Sequence, residues 1–223
     1  MKKISVLLVD DHAVVRQGLR ALLGAENDIE VVGEAENGRL AVKLANEMRP
    51  DMVIMDVAMP LLNGMEATRQ IVRNVPKTKV LVLSTYDQDD YVRQVTLAGA
   101  AGYLLKHTAA DELLKAIRQV HDGNAYFSPA IAQSLREQCR ETVERGPAPV
   151  ERITLTSREA EVLQLIAEGF ANKQIAGELG ISVKTVEKHR QQVMNKLKIH
   201  DIARLTRYAV RNGLVEQNDQ PVL

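Results

Sequence analysis

Up to about residue 128, short apolar runs alternate with longer amphipathic stretches. The runs Ile4–Val9, 30–33, Met52–Met55, Lys79–Ser84 and Gly102–Leu105 are mostly continuous in hydrophobicity rather than alternating. That pattern predicts parallel strands covered on both faces. Between them, apolar positions recur at helical spacing near 12–24, 38–47, 63–74, 88–98 and 109–122. Gly99 and Gly102 bracket the entry to the last strand. Five strand–helix units predict a doubly wound α/β domain with right-handed crossovers and a parallel sheet of order 2-1-3-4-5, with the site at the carboxyl ends of its strands.

The pattern then changes. A short helix is expected over 129–140. Residues 141–152 mix charges with Gly146, Pro147 and Pro149 and read as a linker. Beyond it every periodic segment is helical: about 156–168, 172–179, 183–196 and 201–212. Thr156-Ser157-Arg158-Glu159 has the spacing of a capping box for the first of these. Residues 217–223 are expected to fray. The division is therefore 1–128, an α/β domain; 129–152, helix and linker; and 153–216, an all-α four-helix domain. No internal repeat is visible.

Within the helical part, Ala176 is small where two helices must cross closely. Gly180 follows four residues later, where a turn requires positive φ, and Val186 six after that on the inner side of the next helix. Ile175, Leu179 and Ile181 supply core around them. This spacing marks a helix-turn-helix. At 100° per residue, Val186, Val193 and Leu197 share one face of the 183–196 helix, and Lys184, Glu187, Lys188, Gln191 and Asn195 lie opposite. An outer face of this kind fits a major groove: Lys suits guanine and phosphates, Gln and Asn suit adenine, and Glu accepts from cytosine. Lys173, Thr185 and Arg190 flank it as phosphate candidates. His189 sits beside the apolar face and reads as a packing or capping residue. A solvated polar face is the usual fate of such a stripe; the turn chemistry and the local charge favour DNA.

Composition alone is unremarkable, at 45% hydrophobic and 26% charged residues. Net charge is zero, but it is unevenly distributed. Residues 1–130 carry 15 basic and 17 acidic side chains, a net of −2. Residues 153–213 carry 10 and 6, a net of +4. The C-terminal part is thus the candidate for a polyanionic partner. No apolar run approaches the roughly 18 residues of a membrane span. The N-terminal run is too short for a secretory leader, and the lone Cys139 cannot form an internal disulfide. A cytoplasmic protein without membrane contact is expected.

The first half contains the chemistry. Asp10 and Asp11 follow strand one and Asp56 follows strand three. In a 2-1-3-4-5 sheet these strands are neighbours, so the three carboxylates should converge. Three ionised carboxylates require a counter-charge, and a hard divalent cation, typically Mg²⁺, supplies it. Ser84 ends strand four and Lys106 follows strand five, adding a hydroxyl and an ammonium at the same edge. Three acids, a hydroxyl and a lysine around a metal make a phosphoryl-transfer site, with one carboxylate as nucleophile and the cationic groups balancing charge on the moving phosphoryl oxygens. Singly, each residue has an ordinary reading: a helix cap, a turn hydroxyl, a surface charge. The joint placement at four strand ends carries the argument.

Val9-Asp10-Asp11-His12, Asp56-Val57-Ala58-Met59-Pro60 with Asn63-Gly64, Ser84-Thr85 and Gly102-Tyr103-Leu104-Leu105-Lys106 resemble the flavodoxin-like receiver domain of bacterial response regulators, over roughly 1–128. The resemblance implies that Asp56 is the phospho-acceptor. It implies that Asp11, Asp56 and the main-chain carbonyl of Ala58 ligate Mg²⁺, that Asp10 assists through water, that Ser84 and Lys106 contact the phosphoryl group, and that Tyr103 is a switch aromatic. His107 stands where many receivers have proline. The segments 155–163, 172–176 and 183–189 resemble the LuxR-type DNA-binding domain. The whole chain therefore resembles the NarL/FixJ family, which implies a dimerisation role for the 201–212 helix, where Ile202, Leu205 and Ala209 stand at helical spacing.

Aspartyl phosphatases share this layout but place a second Asp two residues after the nucleophile, where this chain has Ala58. Without that acid/base the acyl phosphate should persist, which suits a switch rather than a turnover enzyme. A flavin site is disfavoured because Asp10 and Asp11 would repel a phosphate after strand one unless a metal were present. The expected function is a two-component response regulator. A sensor histidine kinase phosphorylates Asp56, the strand-four to strand-five face responds, and dimerisation places two recognition helices on paired half-sites of double-stranded DNA to regulate transcription with RNA polymerase. The alternative is a receiver-gated module that uses the helix-turn-helix as a protein-binding surface.

Overall fold

The computed structural model describes residues 3–85, 89–128, 131–133 and 155–215. The expected 141–152 linker and Cys139 lie outside them, as does the 129–140 helix except for residues 131–133. The first domain runs β1 (Ile4–Val9), α1 (Ala13–Gly24), β2 (Ile29–Ala35), α2 (Gly38–Met48), β3 (Met52–Met55), α3 (Gly64–Asn74), β4 (Lys79–Ser84), α4 (Asp89–Leu97), β5 (Gly102–Leu105), α5 (Ala110–His121) and β6 (Tyr126–Phe127). The sheet is parallel throughout, in the order β2-β1-β3-β4-β5-β6. The expected order holds for the first five strands. The sixth was not expected, because two half-buried residues beyond α5 make no apolar run. Alternating strand residues feed two cores: Leu7, Val9, Val53 and Met55 on one face, and Val6, Leu8, Met52 and Ile54 on the other. Each fully buried aliphatic side chain of this kind contributes roughly 1.5–3 kcal/mol.

Register gathers the chemistry. Val9 pairs with Met55, so Asp10 and Asp56 emerge side by side, and Asp56 N donates to Val9 O at 2.8 Å. Ser84 pairs with Leu105, which sets Lys106 next to Ser84; Lys106 N donates to Ser84 O at 2.7 Å. Behind Asp56 the chain closes tightly. Gly64 N donates to Val57 O, and a Cβ on Gly64 would lie 1.8 Å from Asp56 O, so only glycine fits there.

The second domain comprises α6 (Ser157–Ala167), α7 (Asn172–Leu179), α8 (Val183–Leu197) and α9 (Ile202–Arg211). Its helix starts are fixed by side chains. Thr156 and Glu159 form the expected capping box, Ser182 caps α8, and Asp201 caps α9. Gly180 ends α7 with φ +62°, the conformation the helix-turn-helix spacing required. Val186, Val193 and Leu197 are buried as expected. Leu205 and Ala209 are also core, which leaves Ile202 as the one member of that trio exposed on α9. Buried Glu159 is held by Lys196 Nζ and by Thr156 N, both at 2.7 Å. Among the described residues no helix is long and apolar enough to cross a membrane.

The two domains touch. Residues 59–63, between β3 and α3, lie against α6, and Leu61 packs into the cluster of Val162, Leu165, Ile166, Ile175 and Val186. A second contact sets the Tyr91 ring of α4 over Gly213, just past α9.

Candidate functional site

The strand ends bring Asp10, Asp11, His12 and Asp56 together, with one ligand atom from each lying within 4.8 Å of the others. Asp10 and Asp56 are 2% and 4% exposed, whereas Asp11 is half-buried and opens the cluster to solvent. Lys106 Nζ lies 2.8 Å from Asp10 Oδ2 and 2.8 Å from Asp56 Oδ2. The other oxygen of Asp56 accepts from Val57 N at 2.8 Å, and Asp10 Oδ1 accepts from His12 N at 2.8 Å. His12 Nδ1 is 2.8 Å from Asp11 Oδ1 and 3.2 Å from Asp10 Oδ1.

One ammonium serves two buried carboxylates, and the charge states follow from that. Burial pushes Asp56 up to about 7; Lys106 opposes the shift and Asp10 reinforces it. Burial acts to lower Lys106, but Asp56 and Asp10 outweigh it and hold the ammonium above its ordinary value. His12 is raised, chiefly by Asp11. Lys106 binds its partners firmly and still leaves the cluster short of positive charge. Three carboxylates, an imidazole and one lysine therefore fit a hard divalent cation, with half-exposed Asp11 on the solvent side. Ser84 is fully buried at the end of β4, and Tyr103 is fully buried within β5, in the core that holds Leu7, Val9, Val53 and Met55. His12, which follows Asp10 and Asp11 in the sequence, also joins this cluster. The position directly after two strand-end acids was the available signal.

The second candidate region is the outer face of α8. Lys184, Glu187, Lys188, Gln191 and Asn195 are all exposed, and Gln191 Nε2 donates to Asn195 Oδ1 at 2.9 Å. Lys173 is exposed at the start of α7. Thr185 is half-buried beside the Ser182 cap, and Arg190 Nη1 donates to Asn172 Oδ1 at 3.2 Å, tying α8 to α7. His189 is half-buried, in keeping with a packing residue, and its Nδ1 is buried without a hydrogen-bond partner.

Comparison with known proteins matches two segments of the chain. Residues 6–118 match the response regulator receiver domain, and residues 153–209 match the luxR family of bacterial regulatory proteins. The chain is 44% identical to the transcriptional regulatory protein LiaR of Bacillus subtilis over 95% of its length and 99% of that protein's. It is 37% identical to the transcriptional regulatory protein DegU of Brevibacillus brevis over 96% of both. Among solved structures, the RcsB response regulator of Salmonella typhimurium superposes over 95% of this chain and 99% of its own, with TM-score 0.63 at 26% identity. RcsB has also been solved as a DNA complex, which matches with TM-score 0.57 at 26% identity over 93% of this chain and 98% of its own. The chain is therefore a response regulator with a receiver and a LuxR-type DNA-binding domain, and it belongs to the NarL/FixJ family.

Proposed function

We propose that Asp56 is the phospho-acceptor of this response regulator and that its phosphorylation controls binding of the α8 face to DNA. The observation that carries the first half is the placement of Asp56: buried, next to Asp10 at the end of β3, with Lys106 Nζ 2.8 Å from Oδ2. An Asp56 oxygen attacks the phosphorus of a phosphohistidine donor on a sensor kinase. The P–N bond breaks, the imidazole nitrogen takes up a proton, and an acyl phosphate remains on Asp56. Lys106 balances charge on the phosphoryl oxygens, and Ser84, at the adjacent strand end, donates to one of them. Asp11, Asp56 and the Ala58 carbonyl would hold Mg²⁺, with Asp10 assisting through water, and the ion would supply charge neutralisation for the transfer. Ala58, two residues after Asp56, offers no acid/base for hydrolysis, so the acyl phosphate persists.

The added charge shifts a two-state equilibrium on the β4–β5 face through Ser84 and Tyr103. Two chains then pair, with exposed Ile202 on α9 as a contact, and set two α8 helices on half-sites about one DNA turn apart. Lys184, Glu187, Lys188, Gln191 and Asn195 read bases, while Lys173, Thr185 and Arg190 meet phosphates. The DNA complex of RcsB supports this use of the domain, and transcriptional output would involve RNA polymerase. The test is labelling with acetyl phosphate and Mg²⁺, read by intact mass. The wild-type chain gains one phosphoryl group, and Asp56→Asn gains none. Labelling that survives in Asp56→Asn contradicts the assignment.

A further inference from the structure

The first turn of α8 carries an apolar side chain that the fold does not use. Val183, the first helical residue, is 40% exposed. Its neighbours fix the start of the helix. Ser182 caps it, its side chain accepting from Thr185 N at 3.1 Å. Ile181 before the cap and Val186 after it both join the cluster of Val162, Leu165, Ile166 and Ile175, the arrangement of a hydrophobic staple. Among the described residues Val183 belongs to neither apolar cluster of this domain. Being β-branched, it is also a weaker helix former than the Lys, Glu and Gln that fill most other exposed positions of α8. Single exposed valines are ordinary on protein surfaces. The place of this one gives it a use.

Val183 stands four residues before Glu187, which stands four before Gln191, which stands four before Asn195. Residues at that spacing stack along one side of a helix. All four are exposed, so the outer face of α8 is a row whose N-terminal member is apolar, with Lys184 and Lys188 beside it. Recognition helices meet base edges with their N-terminal residues, which is the end where Val183 stands. The first turn of α8 holds no acidic residue, and residues 153–213 carry a net charge of +4, so a phosphate-lined groove is not repelled there. A major groove offers hydrogen-bond donors and acceptors and one kind of apolar group, the 5-methyl of thymine. A valine has no polar atom to offer in return. Set against a donor or acceptor, it would strip that group of water without replacing the bond. Set against the methyl, it buries apolar surface on both sides.

Building on the proposal that the outer face of α8 reads DNA, we infer that Val183 is a specificity-determining residue that packs on the 5-methyl group of a thymine in each half-site. The contact selects thymine over cytosine, which lacks the methyl and presents an amino group beside the same position. It complements the hydrogen-bonding side chains of the row, which recognise polar edges.

The experiment removes the methyl from the DNA and the valine from the protein, singly and together. A duplex is selected by the full-length chain treated with acetyl phosphate and Mg²⁺. Each thymine of a half-site is then replaced in turn by deoxyuridine, which lacks only the 5-methyl group. Wild type is expected to lose about fourfold in affinity at one thymine, the worth of one buried methyl, and on the order of tenfold when both half-sites are changed. Val183→Ser should bind the thymine and deoxyuridine duplexes equally at that position, whereas Val183→Ile should keep the discrimination. Thermal melting checks that Val183→Ser is folded; should it not be, Val183→Gln takes its place. A wild-type chain indifferent to deoxyuridine at every position overturns the inference, and needs no variant to do so. The same penalty in the folded Val183→Ser chain overturns it too, and assigns the methyl to another side chain. In both cases a duplex has still been selected, so the reading of DNA by α8 stands. A chain that selects no duplex over random sequence sinks that reading, and this contact with it.

Discussion

The acidic site and the outer face of α8 both concentrate polar side chains, but they differ in what holds them. Asp10 and Asp56 are buried, so they must be partnered before any ligand arrives. Lys106, Val57 N and His12 N fix their oxygens. The α8 face is exposed, and its internal bond, Gln191 to Asn195, is one that solvent can replace. A buried polar site is thus part of the fold's own energetics, whereas an exposed one acts only through what it binds. Substitutions at the first should change stability and pH response together. Substitutions at the second should change affinity alone.

The largest effect tests the first half of that contrast. Gly64→Ala places a Cβ against the Asp56 carbonyl, 1.8 Å away, and is expected to destabilise the receiver by about 4 kcal/mol, read by urea unfolding. A near-neutral result would mean that the chain behind Asp56 is not closed as described. Next is Asp56→Asn in metal-free buffer. The folded carboxyl sits at about 7 against an ordinary 3.8. Its protonated form is therefore favoured in the folded state, and the associated stability is present at acid pH and lost as pH rises toward 7. Asp56→Asn removes that loss and should be more stable than wild type by about 3 kcal/mol at pH 8, with the gap closing by pH 4. Melting curves in EDTA check it; a gap independent of pH contradicts it. Smaller again, Lys188→Ala should weaken specific DNA binding by roughly 1–3 kcal/mol and change unfolding stability by less than about 0.5 kcal/mol. An Lys188→Ala chain that binds its duplex normally would remove this lysine from the reading face.

The same contrast explains what could be read from the sequence. Strand ends are legible because continuous apolar runs stop where they meet Asp10, Asp56 and Lys106, and parallel register does the rest. The inner stripe of α8 is legible from its period. β2 extends beyond its expected limits to Ile29–Ala35 because Glu34 and its neighbours stay in the sheet despite their polarity. β6 is too short to show a pattern. The interdomain contact was illegible for a different reason. Helical period places Gln164 on α6, but residues 159–166 are buried on every side, and what Gln164 meets lies 101 and 105 residues away. Nothing in the sequence around Leu61 signals its positive φ or the packing of its side chain against the other domain.

The central claim, that phosphorylation of Asp56 governs the DNA-binding domain, is tested most directly by one titration. A duplex selected by the full-length chain is bound with and without acetyl phosphate and Mg²⁺, in wild type and in Asp56→Asn. The account predicts that phosphorylation tightens wild-type binding, on the order of tenfold, and leaves Asp56→Asn unchanged. Equal tightening in Asp56→Asn, or none in a fully labelled wild-type chain, would contradict it.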